Sequence, residues 1–206
     1  MSTDISINNS NENEDFNLIS ELYEWAEAIV FAFVFVILLF TFVFRVVGVE
    51  GISMKNTLNS EVSNESQTLD RVIITNLNYV PKQGDIVVLA HKSLGDKSVP
   101  YIKRIIALAG QTVDIKNGEV FVNGVKKNEK YIVGTTKAYG DAYFSGDVKF
   151  PVIVPPNCVF VLGDNREYSA DSRFSTSMNG VGMLDVRNII GKAVFRIFPL
   201  NQIGLL

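Results

Sequence analysis

The hydrophobic pattern begins with one long apolar segment near the N-terminus. No charged residue lies between Ala28 and Phe44, and Arg45 follows directly. About twenty apolar residues in a helix cross a hydrocarbon core about 30 Å thick. We therefore predict a transmembrane helix over residues 23–46, in which Arg45 reaches the lipid headgroups.

A cleaved signal peptide and a buried core helix are the alternative interpretations of this segment. A signal peptide starts with basic residues and exits through small ones, whereas this segment follows acidic residues and exits through Phe44-Arg45-Val46. Its many Phe, Val and Leu side chains favour a lipid environment. The preceding residues 1–22, rich in Ser, Asn, Asp and Glu, predict a disordered acidic tail.

Short segments rich in branched residues follow the apolar segment and are separated by Gly and Pro. They predict one mostly β domain over residues 47–206. Asn117-Gly118 is a strong signal for a two-residue hairpin, and Asn123-Gly124 predicts a second turn. The predicted strands cover residues 71–75, 85–89, 99–108, 112–116, 119–122, 158–162 and 193–197.

Two parts of this domain lack a clear strand pattern. Residues 59–68 are polar except for Val62 and predict a surface loop. Residues 126–150 carry scattered aromatic and glycine residues, and predict an extended flap within a small subdomain that covers residues 111–157 or so.

The composition narrows the chemistry that the chain can perform. His91 is the single histidine, so a histidine-built metal site is excluded, and a Ser-His-Asp triad would have to use this residue. His91 lies at a predicted strand end and is interpreted as a solvated structural residue. Cys158 is the single cysteine, which excludes an intrachain disulfide, and is interpreted as an inert core residue. No Ser-x-x-Lys motif occurs.

The charge of the chain is unevenly distributed. The net charge is −3, but residues 1–27 contain seven acidic residues and no Lys or Arg, so the rest of the chain is net positive. This modest positive charge forms no cluster of the kind that binds nucleic acid, and we predict no nucleic-acid partner.

A serine with a lysine is the nucleophile and base pair that remains. A lysine base must be neutral, so its pKa must fall from about 10.4 to near 8, which needs roughly 3 kcal/mol of desolvation. Lys103 lies in a predicted strand with Tyr101 and Ile105 on the same face. A lysine that snorkels from an edge strand explains the same pattern, so the residues alone leave both interpretations open.

Five motifs in this order resemble the type I signal peptidases, membrane-anchored serine–lysine proteases that remove signal peptides from exported proteins. The resemblance implies an antiparallel β-sheet catalytic domain of signal-peptidase type, preceded by one transmembrane helix, in the short form of Gram-positive bacteria. The motifs are Gly51-Ile-Ser-Met-Lys-Asn-Thr-Leu58, Gly84-Asp-Ile-Val-Val88, Tyr101-Ile-Lys-Arg-Ile-Ile106, Gly163-Asp-Asn-Arg166 and Ser169-Ala-Asp-Ser-Arg173.

The resemblance assigns the reacting groups. It implies that Ser53 is the nucleophile and that Lys103 is the general base. It also implies that Ser169 orients the lysine and that the Ser53 backbone N–H helps form the oxyanion hole. Some relatives add a serine hydroxyl to that hole, but Gly51 occupies the corresponding place here.

The resemblance also assigns substrate-binding and supporting residues. Shallow pockets for small side chains are expected to be lined by Val49, Met54, Tyr101 and Ile102, although core packing explains the aliphatic members equally well. Polar support for the site is expected from Arg104, Asp164, Arg166, Asp171 and Arg173, with Arg104 paired to Asp164.

The activity implied by the resemblance is cleavage of exported preproteins after Ala-x-Ala, with no metal and no cofactor. The implied partners are signal peptides, the lipid bilayer and a nearby secretion translocon. The implied location is the cell membrane, with residues 1–22 cytoplasmic and the catalytic domain extracytoplasmic. Arg45 and Lys55 lie on the C-terminal side of the span and point to the opposite orientation by the positive-inside rule, which long domains often override.

Several departures and alternatives accompany this resemblance. Asn56 replaces a usual proline, Ala109-Gly110-Gln111 replaces a common Pro-Gly-Asp, and the longer loop at residues 59–68 could narrow the substrate range. A non-enzymatic or narrowly dedicated factor for assembly of surface proteins is the alternative function. A self-cleaving repressor of the same Ser–Lys fold would carry a DNA-binding domain in place of the apolar segment.

Overall fold

The computed structural model describes residues 5–58, 60–63, 66–92, 98–141 and 146–206. The chain forms two units, Met1–Phe44 and Arg45–Leu206. The first unit is helical and the second is built almost entirely from β-strands.

Helix α1 covers Ile5–Phe42. Within it, Ile19–Phe42 is, among the described residues, the one helical stretch long and apolar enough to cross a membrane. Its 24 residues extend about 36 Å at 1.5 Å per residue, which exceeds the thickness of a bilayer core. Its apolar side chains are exposed, as expected of a membrane anchor.

Both ends of α1 differ from the sequence-based prediction. The helix begins at Ile5, where a disordered tail was expected over residues 1–22. No Gly or Pro precedes Gly48, and extension of an established helix costs little. The helix ends at Phe42, short of the predicted residue 46, because Phe44–Gly48 forms β1 and pairs with a later strand. Arg45 therefore lies in a strand.

The second unit confirms the prediction of a mostly β domain. Strands at Arg71–Thr75, Thr112–Lys116, Glu119–Val122 and Cys158–Leu162 have the predicted bounds. The strands are β1 (Phe44–Gly48), β2 (Ser60–Ser63), β3 (Ser66–Leu69), β4 (Arg71–Thr75), β5 (Ile86–Lys92), β6 (Ser98–Leu108), β7 (Thr112–Lys116), β8 (Glu119–Val122), β9 (Val125–Lys126), β10 (Val152–Ile153), β11 (Cys158–Leu162), β12 (Leu184–Asp185), β13 (Ile189–Phe198) and β14 (Gly204–Leu205). Short 3-10 helices cover Thr176–Met178, Val186–Asn188 and Leu200–Gln202.

The main sheet has the strand order β1-β4-β13-β5-β6-β11-β12, and β14 also pairs with β13. The pairings from β4 through β12 are antiparallel. Strand β6 lies inside this sheet between β5 and β11, so its side chains are held by neighbours on both sides.

A second sheet has the order β10-β7-β8-β9 and falls inside the range predicted for a small subdomain. Asn117 and Gly118 have φ angles of 52° and 80°, and they connect β7 to β8 as the hairpin signal predicted. Asn123 and Gly124 likewise turn the chain from β8 into β9.

The prediction of a loop at residues 59–68 is wrong. Strands β2 and β3 pair in antiparallel register from Ser60↔Leu69 to Ser63↔Ser66. The pairing joins backbone groups, and a segment whose apolar residues are only Val62 and Leu69 lacks the alternation by which strands are recognised in a sequence. Residues 59, 64 and 65 lie outside the described residues.

Candidate active site

The serine turn, residues 51–58, connects β1 to the β2–β3 hairpin. Three backbone hydrogen bonds close it, from Lys55 N to Ile52 O at 3.1 Å and from Thr57 N and Leu58 N to Met54 O at 3.0 and 2.9 Å. The Met54 and Leu58 side chains are buried in the core. These two apolar anchors hold the turn against the sheet and leave Ser53 half-buried.

Lys103 reaches the serine turn from the middle of β6. Its Nζ lies 2.8 Å from Ser53 Oγ, and it donates to the Ile102 carbonyl at 3.0 Å. The ring of Tyr101, on the same face of the strand, lies 5.1 Å from Nζ. Lys103 is 3% exposed, so its amine is almost completely removed from water.

The electrostatics of the site favour a neutral Lys103. Burial lowers the pKa of Lys103 to about 8, against smaller opposing effects of Asp171 and Asp164. Among the residues that the structure describes, no carboxylate forms a salt bridge with Lys103. A large fraction of this amine is therefore unprotonated at mildly alkaline pH.

Asp164 forms an ion pair with Arg104, the residue that follows Lys103 on β6. Arg104 Nε and Nη2 donate to its two carboxylate oxygens at 2.9 and 2.6 Å, which is the pairing predicted from the sequence. Thr57 Oγ1 donates to the same carboxylate at 2.5 Å. The Tyr131 ring lies 4.0 Å from the Arg104 guanidinium. Asp164 thus connects the serine turn to the strand that carries Lys103.

Two further buried ion pairs surround this connection. Arg173 donates to Asp171 at 2.8 and 2.9 Å, and Arg166 donates to Glu129 at 2.6 and 2.9 Å. Burial alone would raise the pKa of Asp171, but the charge and hydrogen bonds of Arg173, together with smaller contributions that include the nearby Ser169 hydroxyl, hold it below its ordinary value. Asp171 therefore remains ionised inside the protein.

Comparison with known proteins identifies the family to which this chain belongs. The family model described as "Signal peptidase, peptidase S26" matches residues 22–198. The chain belongs to this signal peptidase family. The predicted resemblance is therefore confirmed.

Individual signal peptidases are similar over nearly their whole length. Signal peptidase I of Bacillus amyloliquefaciens is 36% identical over 93% of this chain and 96% of its own. Signal peptidase I S of Bacillus subtilis (strain 168) is 37% identical over 93% and 97%, respectively. Signal peptidase IB of Staphylococcus aureus is 30% identical over 88% of this chain and 92% of its own.

Ser169, predicted to orient Lys103, is close to the site but is not bonded to Lys103. It is 6% exposed, and its hydroxyl has no hydrogen-bond partner of normal geometry among the described residues. A Cβ on Gly163 would lie 2.3 Å from Ser169 Oγ and 2.5 Å from Ser53 O. Glycine is therefore required there for the two serine segments to approach each other.

Three of the four residues predicted to bind substrate are buried in this state. Val49, Met54 and Ile102 pack together in one core cluster at 1%, 1% and 6% exposure. Tyr101 is half-buried and faces the amine of Lys103. The aliphatic side chains have the core contacts given as the alternative, and their contact with substrate stays a prediction.

The sequence-based reasoning missed three contributors to the site. Asn165 lay within a quoted motif but received no role, although it hydrogen-bonds the serine turn. Thr57 also lay within a motif and gave no signal of its bond to Asp164. Glu129, the partner of Arg166, lies in a polar segment without periodic pattern, so no local signal identified it.

Proposed function

We propose that the chain is a membrane-anchored serine endopeptidase that removes N-terminal signal peptides from exported preproteins after small residues, with Ser53 as nucleophile and Lys103 as base. The observation that carries this proposal is the 2.8 Å separation of Lys103 Nζ and Ser53 Oγ. It is supported by the burial of an amine whose pKa is lowered to about 8. A serine next to a neutral amine is an activated nucleophile.

The proposed reaction proceeds in two steps. Neutral Lys103 takes the Ser53 hydroxyl proton as Oγ attacks the scissile carbonyl carbon, and the Ser53 backbone N–H stabilises the oxyanion. The carbon–nitrogen bond then breaks, and Lys103 donates its proton to the departing amine of the mature protein. Water attacks the acyl-enzyme carbonyl while Lys103 accepts one of its protons. The bond to Ser53 Oγ then breaks as Lys103 returns that proton to Oγ, which restores Ser53 and neutral Lys103, and the released signal peptide loses its carboxyl proton to solvent.

The buried ion pairs have a supporting role in this proposal. They hold the serine turn and the lysine strand at fixed separation, because the Asp164 carboxylate bonds both Thr57 and Arg104. A preorganised pair avoids the loss of rate that follows when reacting groups are misplaced by about 1 Å. None of these ion pairs transfers a proton in the proposed reaction.

Residues 19–42 form the anchor in this proposal, with the N-terminus cytoplasmic and the peptidase unit extracytoplasmic. Preproteins held in the same bilayer near the translocon would meet the enzyme at raised effective concentration. Specificity for Ala-x-Ala is what the family resemblance implies.

The test is cleavage of a preprotein whose signal ends in Ala-x-Ala by the detergent-solubilised protein, with the new N-terminus identified by mass spectrometry. We expect cleavage after the last alanine, and loss of cleavage in Ser53→Ala and Lys103→Ala. A folded protein that binds preproteins but cleaves none over a range of pH would contradict the proposal and favour an assembly factor.

A further inference from the structure

Asn165 makes two hydrogen bonds to the serine turn. Its backbone N–H donates to Ser53 O at 3.0 Å, and its side-chain Nδ2 donates to Ile52 O at 3.1 Å. Asn165 is 5% exposed, so water competes weakly for these bonds. One buried asparagine thereby binds the carbonyl on each side of the Ser53 α-carbon.

The Ile52 carbonyl belongs to the same peptide unit as the Ser53 N–H. A trans peptide unit is planar, and its C=O and N–H bonds point in opposite directions. A bond that fixes the Ile52 carbonyl therefore also fixes the direction of the Ser53 N–H. Hydrogen bonds in a chain polarise one another, so the same contact makes this N–H a stronger donor.

Two observations indicate that the Ser53 N–H is held in a fixed direction and is available to a ligand. The Ser53 N–H has no acceptor among the residues that the structure describes, so it is available to a substrate oxygen. The Ile52 carbonyl accepts two hydrogen bonds, one from Lys55 N at 3.1 Å within the turn and one from Asn165 Nδ2 at 3.1 Å from outside it. Asn165 is therefore the contact that ties the orientation of this peptide plane to the rest of the domain.

We propose that Asn165 is a positioning residue that aims the Ser53 N–H at the carbonyl oxygen of the scissile bond. This inference rests on the proposed function, because it takes Ser53 as the nucleophile. Asn165 itself touches no substrate atom and transfers no proton. An oxyanion donor acts only when it lies about 2.7–3.1 Å from the oxygen, so a small rotation of the peptide plane removes its effect.

A purely structural Asn165 would have different consequences from a positioning one. Loss of a structural contact lowers stability or weakens substrate binding. Loss of positioning lowers kcat and leaves KM nearly unchanged, since the oxyanion exists only in the transition state. The pH dependence set by Lys103 should also stay in place, because the contact with Ile52 O does not involve the amine.

The test compares two variants of the full-length protein in detergent. Asn165→Ala removes the side-chain donor without adding charge, and Asn165→Asp keeps the shape but replaces the donor by a carboxylate, which only accepts. We expect kcat, measured at the alkaline plateau, to fall about 10- to 100-fold in both, below the loss of about 10²–10³ for complete removal of an oxyanion donor. KM should change less than about twofold. The midpoint of the pH–rate profile should be unchanged in Asn165→Ala.

Asn123→Ala is the matched control, since its side chain accepts a bond from Thr112 N at 2.8 Å in the second sheet. It should lower the thermal unfolding midpoint without lowering kcat. The proposal is overturned if both Asn165 variants keep kcat within about twofold of the parent, if they raise KM alone, or if both unfold below the assay temperature. Failure of the proposed function is distinguishable, because it appears as absent cleavage by the parent protein or as activity retained in Lys103→Ala.

Discussion

Lys103 and Arg104 are adjacent cations on β6 with opposite environments. Lys103 is 3% exposed and has no salt-bridge partner among the described residues, whereas the side chain of Arg104 is 11% exposed and forms a two-bond pair with Asp164. Burial lowers the pKa of Lys103 to about 8. Burial alone would also lower the pKa of Arg104, but the hydrogen bond and charge of Asp164 raise it.

In the proposed reaction, this difference lets one strand supply both a base and a support. The side chains of adjacent strand residues lie on opposite faces of the sheet. The presence or absence of a carboxylate partner on each face then determines whether the cation there stays charged. An amine buried without a carboxylate is costly to protonate and becomes available as a base. A guanidinium buried with a carboxylate stays charged and fixes the geometry around it.

Exchange of the two cation types should have the largest effect on activity. Lys103→Arg places a guanidinium that stays protonated in proteins where the proposed reaction requires a neutral base. We expect cleavage to fall about a thousandfold or more, with no recovery at alkaline pH. The measurement is kcat/KM for preprotein cleavage across the pH range in which the protein stays folded.

Arg104→Lys is the reciprocal control for this exchange. It keeps the positive charge next to Asp164 but loses the two-bond geometry, so we expect a loss of about tenfold or less. Equal losses of kcat/KM in the two variants would contradict this account, because they would show no difference between the proposed base, Lys103, and the proposed supporting residue, Arg104.

Breaking a buried pair should have the largest effect on stability. Asp171→Asn leaves the Arg173 guanidinium, 1% exposed, without its carboxylate and unable to deprotonate. We expect the free energy of unfolding to fall by about 3–5 kcal/mol, as measured by urea denaturation. Because Asp171 raises the pKa of Lys103, the midpoint of any remaining activity should move to lower pH. A loss below about 1 kcal/mol would contradict this account of the buried pairs.

Lys103→Met should abolish cleavage and stabilise the protein. The folded pKa of Lys103 is about 8 against a model value of 10.5, so the unfolded chain binds the proton more tightly than the folded one. The free-energy penalty of burying the protonated amine is fully present below the folded-state pKa, and it disappears as pH rises toward the unfolded-state pKa. We expect a gain of roughly 3 kcal/mol at neutral pH, which shrinks in alkaline urea titrations. An inactive variant of unchanged or lower stability at neutral pH would contradict this prediction.

The smallest effect is expected where both partners of an ion pair face solvent. Lys126 and Glu119 are paired with side chains 58% and 44% exposed. Glu119→Gln should change the free energy of unfolding by less than about 1 kcal/mol and leave cleavage unchanged. A loss of unfolding free energy comparable to that of Asp171→Asn would contradict this prediction, because it would mean that buried and exposed ion pairs contribute equally to stability.

Local patterns predicted the fold where side chains alternate between core and solvent. Strands β4, β7, β8 and β11 have the expected bounds because their branched residues face a core on at least one side. The β2–β3 hairpin was missed because its residues are polar apart from Val62 and Leu69. The start of α1 at Ile5 was not predicted. The prediction for residues 1–22 used only their composition, whereas a helix that has already formed in the apolar segment can extend into the residues before it.

The site was predictable only in part from sequence. Alternation and the motif resemblance identified Lys103 and the Arg104–Asp164 pair. Glu129 was not identifiable, because its pairing with Arg166 joins residues 37 positions apart across an irregular segment. Burial of Lys103 without a carboxylate depends on how three-dimensional packing distributes partners, and no local sequence pattern encodes that distribution.

The most direct test of the central claim is the pH dependence of kcat/KM for preprotein cleavage. A buried, unpaired Lys103 that acts as the base predicts a rate that rises with pH and levels off above a midpoint near 8. The same rise should be absent from the residual activity of Lys103→Ala. A profile that stays flat from mildly acidic to alkaline pH in the folded parent protein would contradict the assignment of Lys103 as the base.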